Sequence, residues 1–180
     1  MLPKLELIAA ACENMGIGIK GNLPWRLKTE MEYFTRMTTK TKDNNKKNVV
    51  LMGRRTWDCL PKKYKPLKDR INIVLTSQSV DYGDKAIVCE SMLDALETIA
   101  DMKSKVEKVW VIGGSRVYKE AMESPYFNRL YLTRVRKNFE CDTFFPPIPD
   151  NFVLIQDPAV PQDVQEENGI EFVYEVYEKR

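Results

Sequence analysis

Short runs rich in β-branched and aliphatic residues, KLELIAAA, KNVVLMG, INIVLT, KAIVC, KVWVIGG and RLYLTRV, alternate with stretches of helical periodicity. Nothing else in the chain constrains its fold as strongly. A strand, a crossover helix and a second strand place the two strands parallel, and a parallel sheet has to be covered on both faces. Helical patterns run from about Lys28 to Thr39, for a short distance from Arg54, across Ser91 to Asp101, and from Ser115 to Met122. The pattern then changes: Asn168-Gly169 precedes IEFVYEVYE, where Ile170, Phe172, Tyr174 and Val176 alternate with Glu171, Val173, Glu175 and Tyr177. That is the signature of an antiparallel hairpin. The expected architecture is α/β: a single domain over residues 1–180, with a mostly parallel central sheet, helices on both faces and an antiparallel C-terminal hairpin closing one edge.

What the chain lacks narrows its chemistry. There is no histidine, so a Ser-His-Asp triad is excluded and any general acid or base is Asp, Glu, Lys, Tyr, Cys or water. Cys12, Cys59, Cys89 and Cys141 form no CxxC pair, and without histidine the common zinc sets are gone; no metal is expected. A net charge of +2 with 30% charged residues gives no general pull toward nucleic acid or an anionic membrane. The run LELIAAAC contains Glu6 and follows no basic segment, so it fails as a signal peptide and is too short to span a bilayer. Free thiols point to a reducing, cytoplasmic setting. The polar stretch TTKTKDNNKKN, Thr38 to Asn48, reads as a solvated loop.

Gly16, Gly18 and Gly21 carry the spacing GxGxxG, yet their context is wrong for a dinucleotide-binding turn. Such a turn runs straight from strand into helix. Here Cys12 to Met15 intervene, and Asn22-Leu23-Pro24-Trp25 follows, with Pro24 biasing Leu23 away from helix. What remains is a long flexible loop with an apolar centre, Met15, Ile17, Ile19, Leu23 and Trp25, suited to be a lid. Two other places look more like phosphate cradles: VVLMG-RRTW, with Arg54, Arg55 and Thr56, and VWVIGG-SRVYKEAM, with Gly113 and Gly114. In both, a β run ends in glycine and turns into a helix whose first N–H groups are free.

Helical spacing from Leu27 places Leu27, Met31, Phe34 and Met37 on one stripe toward the core, with Glu30 along the same apolar face and Glu32 outward, where it pairs with Lys28 and Arg36. A carboxylate among apolar side chains needs a partner, and its pKa rises without one. The alternative is that Glu30 merely complements the helix dipole.

The segments NMGIGIKGNLPW, VVLMGRRTW, PLKDRINIVLT, VWVIGGSRVYKEAM, TRV, CDTFFP and QEENGIEFVYEVYEK together resemble the dihydrofolate reductase family, in family order and spacing across nearly the whole chain, and most closely its eukaryotic form. The resemblance implies NADPH-dependent reduction of dihydrofolate to tetrahydrofolate, by hydride transfer to C6 and protonation of N5, in a cytoplasmic monomer that binds antifolates such as methotrexate. It implies a catalytic Glu30, with Thr133 bonded to it and a water near Trp25 delivering the proton. Substrate contacts fall on Ile8, Ala9, Met31, Phe34, Leu60, Pro61, Leu67, Ile112 and Tyr118, with Arg70 clamping the α-carboxylate. Cofactor contacts fall on Ala10 and on the loop Gly16, Ile17, Gly18, Ile19, Lys20, Gly21 and Asn22. They continue at Arg54, Arg55, Thr56, Thr76 and Ser77, and at Gly113, Gly114, Ser115, Arg116, Val117 and Tyr118. Ser77 and Glu90 depart from the basic residues often found there, as does Met31 from an aromatic. A pyrimidine reductase of related fold is disfavoured by Glu30, Arg70 and the PLKDR loop; a nucleic-acid module using Lys62 to Arg70, by the near-neutral charge; an inactive scaffold, by intact Glu30 and both cradles.

Overall fold

The computed structural model describes all 180 residues. In chain order the elements are β1 (Leu5–Ala11), β2 (Gly16–Gly18), α1 (Lys28–Thr39), β3 (Lys47–Gly53), α2 (Arg54–Cys59), β4 (Ile71–Leu75) and β5 (Ile87–Cys89), followed by α3 (Met92–Asp101), β6 (Val106–Gly113), α4 (Ser115–Glu123), β7 (Phe127–Val135), β8 (Thr143–Phe144), β9 (Phe152–Ile155), β10 (Gln165–Glu167) and β11 (Ile170–Lys179). The main sheet has the order β10-β11-β7-β1-β6-β3-β4-β5, with β9 also paired to β11. Pairings from β7 through β5 are parallel, and those of β11 with β7, β9 and β10 are antiparallel.

Alternation along the strands separates two cores. Leu5, Leu7, Val49, Leu51, Ile73, Val109, Val111, Leu130 and Leu132 pack with Leu96 and Ile99 of α3 and Ala121 and Met122 of α4. Their neighbours Ile8, Val50, Met52, Val74, Trp110 and Tyr131 face the other way, against Tyr33 of α1 and Trp57 of α2. A run that buries every residue on alternating sides is what a sheet covered on both faces demands. The C-terminal hairpin turns at Asn168 and Gly169, with φ of 54° and 77°. Both are in the left-handed region a two-residue type I′ turn requires.

The helix ends have different solutions. Ser91 Oγ accepts from Asp94 N at 3.0 Å, and Asp94 Oδ2 accepts from Glu90 N at 2.9 Å, a reciprocal cap that starts α3. Leu27 has no capping side chain, so α1 borrows one. The Glu167 carboxylate accepts from Lys28 N at 2.7 Å and from Thr29 N at 2.8 Å. Gly53 and Gly114, ahead of α2 and α4, supply no cap.

Three expectations need correction. Met31 is 45% exposed, because the buried face of α1 is rotated onto Glu30, Tyr33 and Thr38. Glu32 makes no ion pair; Arg36 lies 5.5 Å from the Tyr33 ring centroid and donates to the Ala159 carbonyl instead. The stretch from Thr38 to Asn48 is solvated only in its middle, since both named ends are fully buried. Asn48 Nδ2 donates to the carbonyls of Thr38 and Lys40, each at 3.0 Å, and its Oδ1 accepts from Lys108 N at 3.0 Å. One amide thus joins the end of α1 to β3 and β6. Asn48→Leu, of similar size, leaves three backbone groups unpaired; urea unfolding is expected to show a loss of about 3 kcal/mol.

Candidate active site

Glu30 enters the interior from the first turn of α1 and is 5% exposed. Its side-chain partner is Thr133 of β7, whose hydroxyl donates to Glu30 Oε1 at 3.2 Å. Thr133 lies opposite Ala10 of β1 and Tyr174 of β11, so the acid sits above the strands where the parallel part of the sheet meets the antiparallel part. Burial, only partly offset by the Thr133 hydrogen bond, raises the Glu30 pKa to about 7. The same carboxylate adds to burial in raising Tyr174, to about 12, and in raising Tyr118. Trp25 is 6% exposed, and its indole N–H is buried without a protein partner.

The fold gathers most of the expected substrate wall into one core. Phe34, Leu60, Leu67 and Ile112 all pack along the core under α1 and α2 that contains Ile8. The β1–β6 ladder ends at Leu7 and Val111, and the β3–β6 ladder shifts register past Val111, leaving Ile112 unpaired in both. Such an irregularity frees a backbone group at the strand end. The Ile8 carbonyl accepts from Tyr118 Oη at 2.7 Å. Ala9 points to the opposite core, so only its backbone faces this side. Met31 and Pro61 are exposed.

Arg70 is held rather than loose. Its Nε donates to the Lys68 carbonyl at 2.8 Å and its Nη1 to Thr38 Oγ1 at 3.0 Å. The loop before it is clamped by buried Asn72, which accepts from Leu67 N at 3.0 Å and donates to the carbonyls of Leu67 and Arg70. Thr38, Asn72 and the capping Glu167 were not singled out from sequence. Asn72 left a trace, a lone amide inside the apolar run INIVL; Glu167 left none.

The two expected phosphate cradles lie side by side at the ends of β3 and β6. Gly113 has φ of 128°, and a Cβ there would fall 3.4 Å from Thr56 Oγ1 and 3.5 Å from the Tyr118 ring; one on Gly114 would be 3.6 Å from Thr56 Oγ1. Arg54 donates to Gln78 Oε1 and pairs with Asp58 at 3.4 Å, while Arg55 is exposed. Thr76 is half-buried at the end of β4, and Ser77, Glu90 and Arg116 are exposed. Ser115 Oγ donates to the Phe144 carbonyl, and Val117 packs on the larger core.

The glycine-spaced loop leads into no helix, as its context implied, but it is not wholly irregular. Gly16–Gly18 pairs with Thr143–Phe144 as a separate two-stranded sheet, and Ile19 bridges Asn22. Lys20 N donates to Asp142 Oδ2 at 2.9 Å. Gly21 has φ of 79°, and a Cβ on it would stand 2.9 Å from Cys59 Sγ, so the loop tip rests against the end of α2. Of its apolar residues, Trp25 is buried and Leu23 is 46% exposed. A groove of about 400 Å³ between α1 and the C-terminal hairpin, lined by Tyr33, Arg36, Gln165 and Tyr174 among others, contains none of the expected site residues.

Known proteins similar to this chain belong to one family. The family model for dihydrofolate reductase matches residues 4–179. Dihydrofolate reductase of Aedes albopictus is 48% identical over 183 residues, covering 99% of this chain and 98% of that protein. The Bos taurus enzyme is 49% identical over 185 residues, covering 99% of each. The solved structure of Schistosoma mansoni dihydrofolate reductase superposes with a TM-score of 0.87 at 38% identity, covering 100% of both chains.

The raised Glu30 pKa has a stability consequence whose sign is fixed. Between the ordinary value of 4.5 and about 7, the folded state keeps a proton that the unfolded state has released. The resulting stabilisation is complete below the unfolded pKa and disappears as pH rises through the folded one. Glu30→Gln cannot ionise, so urea unfolding should show its stability relative to the parent improving by about 2–3 kcal/mol from about pH 5 to about pH 9.

Proposed function

The chain belongs to the dihydrofolate reductase family, and from that premise we propose that it reduces dihydrofolate to tetrahydrofolate with NADPH, acting as a cytoplasmic monomer. The observation that carries the reading is the buried Glu30–Thr133 pair beside a wall formed by Phe34, Leu60, Leu67 and Ile112. NADPH, when bound, supplies the hydride that goes to C6 of the dihydropterin ring. The protein's part is to bind, orient and keep dry.

Glu30, ionised, accepts two parallel N–H bonds from the pterin amino group and ring nitrogen, a bidentate match that fixes the ring plane. Thr133 holds the carboxylate in register. The alignment favours protonation at N5, and the unpartnered indole N–H of Trp25 suits it to order the water that delivers the proton. The Ile8 and Ile112 carbonyls face the ring's donors, with Tyr118 fixing the former. Ala9 contributes backbone, and Met31, Phe34, Leu60, Pro61 and Leu67 contribute apolar wall. Arg70, pre-set by Thr38 and the Lys68 carbonyl, clamps the substrate's α-carboxylate.

The cradles fit a dinucleotide. Side chains at Gly113 and Gly114 would fill the space against Thr56, and the uncapped first turn of α4, from Ser115 through Arg116, Val117 and Tyr118, offers N–H groups to an anion. Arg54, Arg55 and Thr56, with Thr76 and Ser77, take the adenosine-phosphate side. Neutral Ser77 and acidic Glu90 leave the 2′-phosphate to the two arginines. Ala10 and Gly16–Asn22 cover the nicotinamide end and exclude water there.

The decisive assay is loss of NADPH absorbance on adding dihydrofolate, abolished by methotrexate; no absorbance change would remove the reading. Glu30→Gln is expected to lower turnover by about a hundredfold or more, and near-normal turnover would reject the role given to that carboxylate. For cofactor choice, Arg54→Ala should lower the ratio of kcat/KM for NADPH to that for NADH by roughly tenfold. An unchanged ratio would assign the phosphate to Arg55 alone.

A further inference from the structure

Cysteines remote in sequence are brought together at the base of the glycine loop. Cys12 Sγ and Cys141 Sγ lie 3.9 Å apart, across 129 residues of chain. Cys12 follows the last residue of β1 and closes a tight turn: its N–H donates to the Gly16 carbonyl at 3.0 Å, and its carbonyl accepts from Met15 N at 2.8 Å. Asn14 organises the same turn. Its Oδ1 accepts from the Cys12 thiol at 2.8 Å and from Gly16 N at 2.9 Å, while its Nδ2 donates to the Phe139 carbonyl at 3.2 Å. Cys141 sits two residues before β8 and is packed so tightly on the turn that a methyl group on Gly16 would overlap its sulfur and β-carbon. Gly16 is therefore the residue that leaves room for the second thiol. Neither sulfur has a role in the chemistry proposed above.

We propose that Cys12 and Cys141 form a reversible disulfide that clasps the base of the loop Gly16–Asn22 to the segment bearing β8, and so controls the motion of that loop. A disulfide needs its sulfurs about 2 Å apart, so the pair closes by a shift of about 2 Å in side chains that already touch. Cys141 is partly exposed while Cys12 is buried, so a peroxide reaches Cys141 first. The Cys141 thiolate attacks one peroxide oxygen, the O–O bond breaks, and the departing hydroxide takes a proton to leave as water, giving a sulfenic acid. The Cys12 sulfur then attacks the Cys141 sulfur; the S–S bond forms, the S–O bond breaks, and hydroxide leaves with the proton Cys12 gives up as a second water. The two thiols supply two electrons, and one peroxide accepts them. Burial, together with the neighbouring Cys12 thiol, pushes the Cys141 thiol up to about 11, so little of it is thiolate at neutral pH and its reaction with peroxide is slow.

The mechanical effect follows from where the bond lies. The loop already meets its partner segment through the β2–β8 pair, Asp142 N to the Gly18 carbonyl at 3.0 Å and Phe145 N to the Met15 carbonyl at 2.8 Å, all non-covalent and open to local fluctuation. A covalent bond at Cys12 and Cys141 fixes the hinge end. Cys59, exposed on α2, and Cys89, buried beside Thr98, lie elsewhere.

The test uses the full-length protein with Cys59→Ser, which removes the exposed thiol, treated with hydrogen peroxide and digested without reductant. A peptide containing Cys12 linked to one containing Cys141, together with a fall in dihydrofolate turnover on the order of tenfold that dithiothreitol reverses, is the expected result. Adding Cys141→Ser should leave untreated turnover unchanged and make it resistant to peroxide. Absence of the linked peptide overturns the disulfide, and a linked peptide with unchanged turnover overturns its control of the loop. If the untreated protein shows no dihydrofolate turnover, it is the reading of the site that fails, and the linked peptide still decides whether the bond forms.

Discussion

A carboxylate buried with a single hydroxyl for company is the most demanding group in this molecule, and much of the structure is arranged around keeping it there. Removing an ionisable group from water costs several kcal/mol unless the charge is lost or matched. Glu30 is left partly unmatched by the protein itself, which is why its pKa is displaced upward. The helix that carries it is accordingly pinned at both ends. Glu167 binds the first N–H groups of α1, and Asn48 binds the carbonyls at its far end. Thr38, on that same last turn, also meets Arg70. The acid and the arginine that flank the proposed cleft are thus referred to one rigid element.

The opposite side of the cleft is built differently. Fixed geometry there comes from close backbone approach, with Gly113 and Gly114 against Thr56. Ser115 ties the first turn of α4 to the Phe144 carbonyl, and the strand containing Phe144 pairs with the glycine loop. A short chain of contacts therefore runs from the α4 N-terminus through β8 to the loop whose tip meets Cys59.

Legibility in the sequence followed the range of the interaction. The four helices and the long strands were readable because a local period of 3.6 or 2 records which side is buried. The helix pattern even singled out Glu30 by its place on an apolar face. The rotation of that face was misjudged at Met31, since Tyr33, a polar-tipped aromatic, takes the core position. β2, β8 and β9 are not legible because elements of two to four residues are too short to show a period; β5, equally short, is legible only as the apolar run in KAIVC, and β2 and β8 exist only through each other. The clamps at Asn48, Asn72 and Glu167 were silent for a related reason: a single polar side chain that satisfies backbone groups far away in sequence leaves no local pattern. Family resemblance supplied Thr133 and Arg70, whose surroundings no periodicity could describe.

The cap on α1 has a consequence for biosynthesis. Glu167 stands 139 residues after Lys28, the first residue of the helix whose leading N–H groups it binds, and the strand that follows it, β11, completes the pairing of the strand bearing Thr133. A nascent polypeptide exposes the acid and Asn48 early, while Glu167, which anchors the start of the helix, is still unmade on the ribosome. The N-terminal portion therefore emerges without the contacts that fix its geometry, and the pocket matures only when the closing hairpin is translated and docks.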